Sequence, residues 1–195
     1  MPRGTLTRDQ GSPVPIGLPQ TAPLVTHLTF DDGPGPHTDE LLDVLARYDV
    51  RATFFVIGAQ IAQRRATVRR AVDEGHAIGN HSWDHPSLPS LAEDEIHDQL
   101  ARTRGSIVEV TGRATELFRP PFGDTDATVE RVAAALGMRQ VLWDVDTEDW
   151  QEPGRDVILQ RLQTAGLADT VLLHDGGGDR SATVAAVEAY LRERA

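Results

Sequence analysis

Two aspartates, Asp31 and Asp32, follow directly on an apolar run, and two histidines, His81 and His85, stand four residues apart in the segment HSWDH. Imidazoles at that spacing can reach one ion, and a carboxylate would complete a three-ligand site with an open position for water. Asp32 is the candidate for that carboxylate. Adjacent carboxylates at a strand exit repel each other unless something positive lies near. If successive side chains of the strand point apart, one could hold a metal while its neighbour accepts a proton from water on that metal. Plainer readings exist for both clusters. Histidines four apart also occur as surface or capping residues, and an Asp-rich turn ahead of Gly33–Pro34 is common in itself.

Three further places carry chemistry. Arg119 stands before a stiff Pro-Pro pair in FRPPFG, where it could pair with Asp31 and hold it ionised, or serve as an ordinary structural arginine. Trp143, Asp144, Asp146, Asp149 and Trp150 mix acids with indoles, which suits a sugar-binding wall as well as a core edge. His174 closes an apolar strand next to Asp175, a place where a lone histidine is usually packed core.

The elements that must position these residues alternate between short apolar strands and amphipathic helices. Leu24–Phe30 reads as a first strand. Thr38 can cap a helix whose Leu41, Val44, Leu45 and Tyr48 share one face. Ala52–Gly58 is the next strand, and a second helix carries Ile61, Val68 and Val72 and stops at Gly75. His76–Asn80 is a short strand leading into His81. A helix over about Ala92–Val110 ends at Gly112, and Leu117–Arg119 is a brief strand stopped by proline. Val129, Val132 and Leu136 line a helix ended by Gly137. Arg139–Val145 and Thr170–Asp175 are the late strands, with a helix around Val157–Ala165 between them and a last helix over about Ser181–Arg192.

This order predicts an α/β fold with a mainly parallel sheet or barrel and outer helices. The polar clusters all sit just after predicted strands. In parallel architectures those strand ends converge on one face, so residues far apart in sequence are expected to meet in one cleft.

Composition narrows the partners. The 195 residues suit one domain, and 39% hydrophobic with 25% charged residues describes a globular chain. A formal charge of -11 disfavours nucleic acid, which needs clustered Lys and Arg, and disfavours anionic surfaces for the same reason. With no cysteine, disulfides, thiolate metal sites and a Cys nucleophile are all removed. No apolar run is long enough to span a bilayer, so membrane insertion is not expected. The opening residues, rich in Pro, Gly and Ser, read as a loose leader over 1–23 ahead of a single domain over 24–195. They hold no apolar stretch of the signal-peptide kind. The chain as it stands is therefore expected inside the cell, or outside it if a targeting segment was removed.

Taken together, the clusters resemble the NodB-homology polysaccharide deacetylases, carbohydrate esterase family four. Five ordered motifs carry the likeness: TFDDGP (Thr29–Pro34), HSWDH (His81–His85), RPPFG (Arg119–Gly123), DTEDW (Asp146–Trp150) and VLLHD (Val171–Asp175). ATFFVIG and EGHAIGNH resemble the connecting sequence, and the match runs from about Leu24 to the C-terminus.

The resemblance implies a single-domain distorted (β/α) barrel and a metal-dependent hydrolase that removes acetyl groups, N-acetyl first, from a carbohydrate or glycan-like substrate. It implies one divalent ion held by Asp32, His81 and His85, with zinc the default and cobalt or nickel the alternatives. By the same likeness Asp31 is the general base, His174 the general acid, Arg119 the residue that orients Asp31, and Asp149 the partner that tunes His174. Trp150 and Leu172 would line a pocket for the acetyl methyl, and the Phe122 backbone N–H would donate to the oxyanion. Many relatives carry Tyr at the Phe122 position. The main chain does the donating, so what changes is a hydroxyl that could touch the sugar, and with it substrate preference.

Three rivals share parts of this pattern: an inactive glycan-binding relative, a cyclic-amide hydrolase, and a non-haem iron oxygenase with the same two-His-one-carboxylate ligands. The competent residue at every catalytic position argues against the first, and RPPFG with an acid–base pair against the second. The third has no use for an acid–base pair across the metal. Chitin oligomers, peptidoglycan, acetylated xylan and a small acetamido-sugar all remain compatible substrates, and oligomeric state is not readable.

Overall fold

The computed structural model describes residues 27–195. The leader expected over 1–23, and residues 24–26 of the first expected strand, lie outside the described residues.

Seven strands build one sheet: β1 (His27–Gly33), β2 (Thr53–Val56), β3 (Ala77–Asn80), β4 (Leu117–Phe118), β5 (Arg139–Gln140), β6 (Val145–Asp146) and β7 (Thr170–His174). Their order is β5-β4-β3-β2-β1-β7-β6, and every pairing is parallel. The expected α/β architecture is therefore present, with helices crossing between successive strands except between β5 and β6. These are α1 (Thr38–Arg47), α2 (Gly58–Ile61), α3 (Arg65–Asp73), α4 (Glu93–Thr111), α5 (Ala127–Ala135), α6 (Arg155–Leu162) and α7 (Ser181–Arg192).

The sheet cannot be flat. Gln140 ends β5 at one edge and Val145 begins β6 at the other. Five trans peptide steps reach at most about 19 Å, whereas seven strands laid flat would hold their edges about 29 Å apart. The short crossing segment thus forces the sheet to curl into an incomplete barrel. It also corrects the single strand expected over Arg139–Val145, since its two ends pair at opposite edges of the sheet. Periodicity does not show this, because the apolar residues Val141–Trp143 between the two short strands make the whole segment read as one extended run.

Other bounds also shift: β1 runs on through Asp31 and Asp32 to Gly33, and α6 covers Arg155–Leu162 rather than about Val157–Ala165. The second expected helix is broken into α2, a 3-10 turn (Ala62–Arg64) and α3. Thr38 does not cap α1 but is its first residue; its hydroxyl accepts from the Gly35 N–H at 2.7 Å and donates to Asp175 Oδ2 at 2.5 Å.

The main core lies between the sheet and the outer helices. Leu28 and Phe30 of β1, Leu41 and Leu45 of α1, and Val187 and Tyr190 of α7 pack there with nearly no exposure. Inside the curl a smaller apolar cluster of Phe55, Leu117 and Val141 forms the floor under the polar site. Among the described residues no helix is long and apolar enough to cross a membrane.

Candidate active site

Asp31 and Asp32 occupy the end of β1, where the ladder to β2 slips. Asp31 pairs with Phe55 but Gly33 with Val56, so Asp32 is an extra residue, a bulge, with φ of 69°. A bulge re-aims a side chain, and aspartate tolerates the left-handed backbone better than most residues. The strict alternation expected for this pair therefore does not hold: both carboxylates turn into the cleft. His81 Nε2 lies 3.7 Å from Asp31 Oδ2 and 3.4 Å from Asp32 Oδ1.

His81 follows β3, and its Nδ1 sits 2.7 Å from the Arg119 carbonyl oxygen. A carbonyl only accepts, which places the proton on Nδ1 and leaves the Nε2 lone pair facing Asp32. His85 has φ of 67° and brings its Nε2 to 3.2 Å from the same Asp32 Oδ1.

The ligand atoms of Asp32, His81 and His85 lie within 4.8 Å of one another. Zinc ligands at about 2.0–2.1 Å in tetrahedral geometry are separated by about 3.3 Å, which matches the observed 3.2 and 3.4 Å. Asp32 Oδ1 is buried without a hydrogen bond, an acceptor left open where a cation would sit. Burial alone would push the Asp32 carboxyl up, but His81 and His85, when protonated, outweigh it by charge and donated hydrogen bonds and hold it far below the usual carboxylate range; a cation seated among the three would act in the same direction. The donor set fits a divalent ion.

Arg119 is fully buried and crosses the inside of the curl. Its Nη1 donates to Asp31 Oδ1 and to the Thr29 hydroxyl, both at 2.8 Å. Its Nε and Nη2 donate to the Val141 and Leu142 carbonyls, each at 3.0 Å, so the same guanidinium ties down the segment that closes the curl. The Phe55 ring lies 4.2 Å from the guanidinium, and a methyl on Gly79 would come within 2.3 Å of that ring. Gly79 is what lets Phe55 lie flat under the arginine.

His174 ends β7 and is in register with Asp31 on the adjacent strand. Its Nδ1 lies 2.7 Å from Asp149 Oδ1, while Asp149 Oδ2 accepts from the His174 backbone N–H at 2.9 Å and the Thr183 hydroxyl at 2.8 Å. Burial disfavours charge on His174, but the Asp149 carboxylate outweighs it, and the imidazolium is held above the ordinary histidine range. Leu172, buried, pairs with Thr29 two residues below His174.

Phe122 stands in the 3-10 turn Pro121–Gly123 at φ of 60°, with its ring 70% exposed and edge-on to His85 at 4.5 Å. Trp150, beside Asp149, is 54% exposed. Nine of the ten expected site residues are tied to one cleft by contacts or strand register, while Trp150 is placed only beside Asp149 in sequence. Asp144 is not on that wall. It exchanges hydrogen bonds with Thr170 at the start of β7, the end of the strand away from His174. Thr29, Thr183 and Arg180, whose Nη1 donates to the Asp149 carbonyl at 3.0 Å, were not legible as site residues. Each acts through one partner fixed by the fold, and no residue spacing announces such a pairing.

Fold and site together define a curled parallel α/β protein with a candidate three-ligand metal centre beside a carboxylate and an imidazole. The chain belongs to the polysaccharide deacetylase family, whose model matches residues 19–141. It is 40% identical over 151 residues to the peptidoglycan-N-acetylglucosamine deacetylase PgdA of Listeria monocytogenes serotype 1/2a (strain 10403S), a match covering 76% of this chain and 32% of PgdA. The chain thus spans about a third of that relative's length. The chitooligosaccharide deacetylase of Bradyrhizobium sp. (strain ANU 289) is 40% identical over 163 residues, 80% of this chain and 74% of the relative. Among solved structures, peptidoglycan deacetylase PdaC from Bacillus subtilis superposes with a TM-score of 0.80 at 36% identity, covering 87% of this chain and 82% of that one. A CE4 family pseudoenzyme from Bacillus anthracis shares the fold equally well, with a TM-score of 0.80 at 32% identity over 88% of this chain and 61% of its own. Activity must therefore be argued from the site.

Proposed function

We propose that the protein is a metal-dependent deacetylase that hydrolyses the N-acetyl group of a hexosamine in a glycan of the peptidoglycan or chitooligosaccharide kind. The observation that carries this reading is the convergence of Asp32, His81 and His85 on one point, with Asp31 on one side and His174 in register beside it. The domain is taken to span 24–195 behind a leader over 1–23.

A divalent ion held by Asp32, His81 and His85, zinc first, would supply Lewis acidity to acidify water and polarise the acetyl carbonyl. Asp31 accepts the proton of the attacking water at Oδ2, because Arg119 occupies Oδ1. Arg119 keeps Asp31 pointed into the cleft through a charge-assisted bond. The Phe122 backbone N–H donates to the carbonyl oxygen as it gains charge, a donor worth about 3 kcal/mol in such sites. Trp150 and buried Leu172 flank the acetyl methyl. His174 keeps its Nδ1–H donated to Asp149 and delivers the proton on Nε2 to the departing nitrogen, which leaves as an amine while acetate remains. An amine is a poor leaving group without that proton.

Acetate release tests the reading, measured on N-acetylated chitooligosaccharides, peptidoglycan fragments, acetylated xylan and a free acetamido-sugar, with zinc and with chelator. Release from at least one N-acetylated glycan, abolished by chelator and restored by metal, is expected. A chain that binds these glycans but releases no acetate under any metal is a binding relative, and the proposal fails.

A further inference from the structure

Arg180 stands at the N-terminal boundary of α7 and is 3% exposed, yet the reaction proposed above gives it nothing to do. Its two hydrogen bonds go to different halves of the site. Nε donates to the Gly176 carbonyl at 2.8 Å, and Nη1 donates to the Asp149 carbonyl at 3.0 Å.

The first bond fixes the loop on which the Asp31–Asp32 step rests. A methyl on Gly176 would lie 2.1 Å from the Asp32 carbonyl oxygen, and one on Gly177 would lie 2.9 Å from Asp32 Oδ2. Bare backbone is therefore in contact with the ligand aspartate along its main chain and its carboxylate. One residue earlier, the Asp175 N–H donates to the Asp31 carbonyl at 3.0 Å. The second bond fixes the main chain of Asp149, whose carboxylate holds His174 Nδ1 at 2.7 Å. Thr183, one turn further along α7, grips the same carboxylate at 2.8 Å.

We infer that Arg180 is a positioning residue that couples the two halves of the site, seating Asp32 through Gly176–Gly177 and His174 through Asp149. The inference rests on the assignment of Asp32 and His174 to one reaction centre. Arginine suits the task because its planar fork offers donors in fixed, divergent directions, which a lysine ammonium cannot reproduce. Displacements of about 1 Å near reacting atoms can cost about 100-fold in rate, so a strut shared by ligand and acid keeps their separation fixed. A residue that only staples α7 to the sheet would leave both halves intact in any variant that folds.

The test uses two readouts that need no substrate: affinity for Zn2+ by calorimetry, and the downfield proton resonance of His174 Nδ1–H bonded to Asp149. Arg180→Met keeps an apolar stem and removes both donors. Folded Arg180→Met is expected to bind Zn2+ at least tenfold more weakly and to lose that resonance well below its melting temperature. A wild-type value for either readout in the folded variant overturns the coupling. If Arg180→Met does not fold, Arg180→Lys decides, because one ammonium cannot serve both carbonyls in their present places. At least one readout must then fall, and two unchanged readouts overturn the inference. Absence of acetate release by the wild-type chain would overturn the deacetylase reading instead and leave both readouts interpretable.

Discussion

Asp32 Oδ1 faces two imidazole nitrogens at 3.2 and 3.4 Å with no donor of its own. Removing that carboxylate leaves His81 and His85 with nothing to close the ligand set. Residues that merely support metal ligands change affinity by about 10- to 100-fold. Asp32→Ala is therefore expected to weaken divalent-metal binding by more than about 100-fold, measured by calorimetry on the folded variant. Asp149 acts through charge. Its carboxylate raises His174 against the pull of burial, so the proposed acid is charged below that raised pKa and lost as pH rises through it. In Asp149→Asn the alkaline fall of the pH–kcat profile is expected to move to lower pH, with kcat at pH 8 down by about 100-fold. An unmoved alkaline limb would remove Asp149 from this role. Residue types and motif order made Asp31, Asp32, His81, His85, Arg119 and His174 legible without coordinates. Arg180 and Thr183 were hidden, because a guanidinium or hydroxyl that serves one carbonyl or carboxylate has no signature beyond the fold that brings it there.

At the scale of elements, the bulge at Asp32 and the column beneath Arg119 decide how the motif residues point. Strand alternation would put the two aspartates on opposite faces; one inserted residue at φ of 69° puts both in the cleft. Likewise the apolar run after Arg139 looked continuous, yet its ends pair at opposite edges of the sheet. Hydrophobic pattern reports local burial and says nothing about which neighbour a strand will find. Gly79 shows how tight the result is. A methyl there would meet Phe55 at 2.3 Å, and the Phe55 ring backs the guanidinium at 4.2 Å. Gly79→Ala is expected to destabilise by about 1–3 kcal/mol, seen as a melting-temperature fall of about 3–10 °C. An unchanged melting temperature would mean that the ring moves aside at no cost.

Over the whole molecule, the curl is a consequence of chain length between Gln140 and Val145, and it gathers the strand ends of all the motifs at one mouth. The opposite end holds a different ionisable group. His76 Nδ1 accepts from the Ala52 N–H at 3.1 Å, which requires a neutral ring, and burial pulls its pKa down to about 4. An unfolded histidine titrates near about 6.5, so between those values the unfolded chain binds more protons. Stability is then lost as pH falls, by about 3 kcal/mol from pH 6.5 to 4. His76→Gln is expected to flatten that part of the stability–pH curve, measured by denaturant unfolding; an equally steep curve would assign the loss elsewhere.

The claim on which the functional reading turns is that Asp31 takes the proton while Asp32 holds the ion. Asp31→Asn separates the two, since it keeps the shape of the side chain and removes the base. One preparation, assayed for bound zinc and for acetate release from an N-acetylated chitooligosaccharide, should show one ion per chain at near wild-type affinity. Its turnover should be lower by at least about 100-fold. Zinc bound and turnover equal to wild type would contradict the assignment outright.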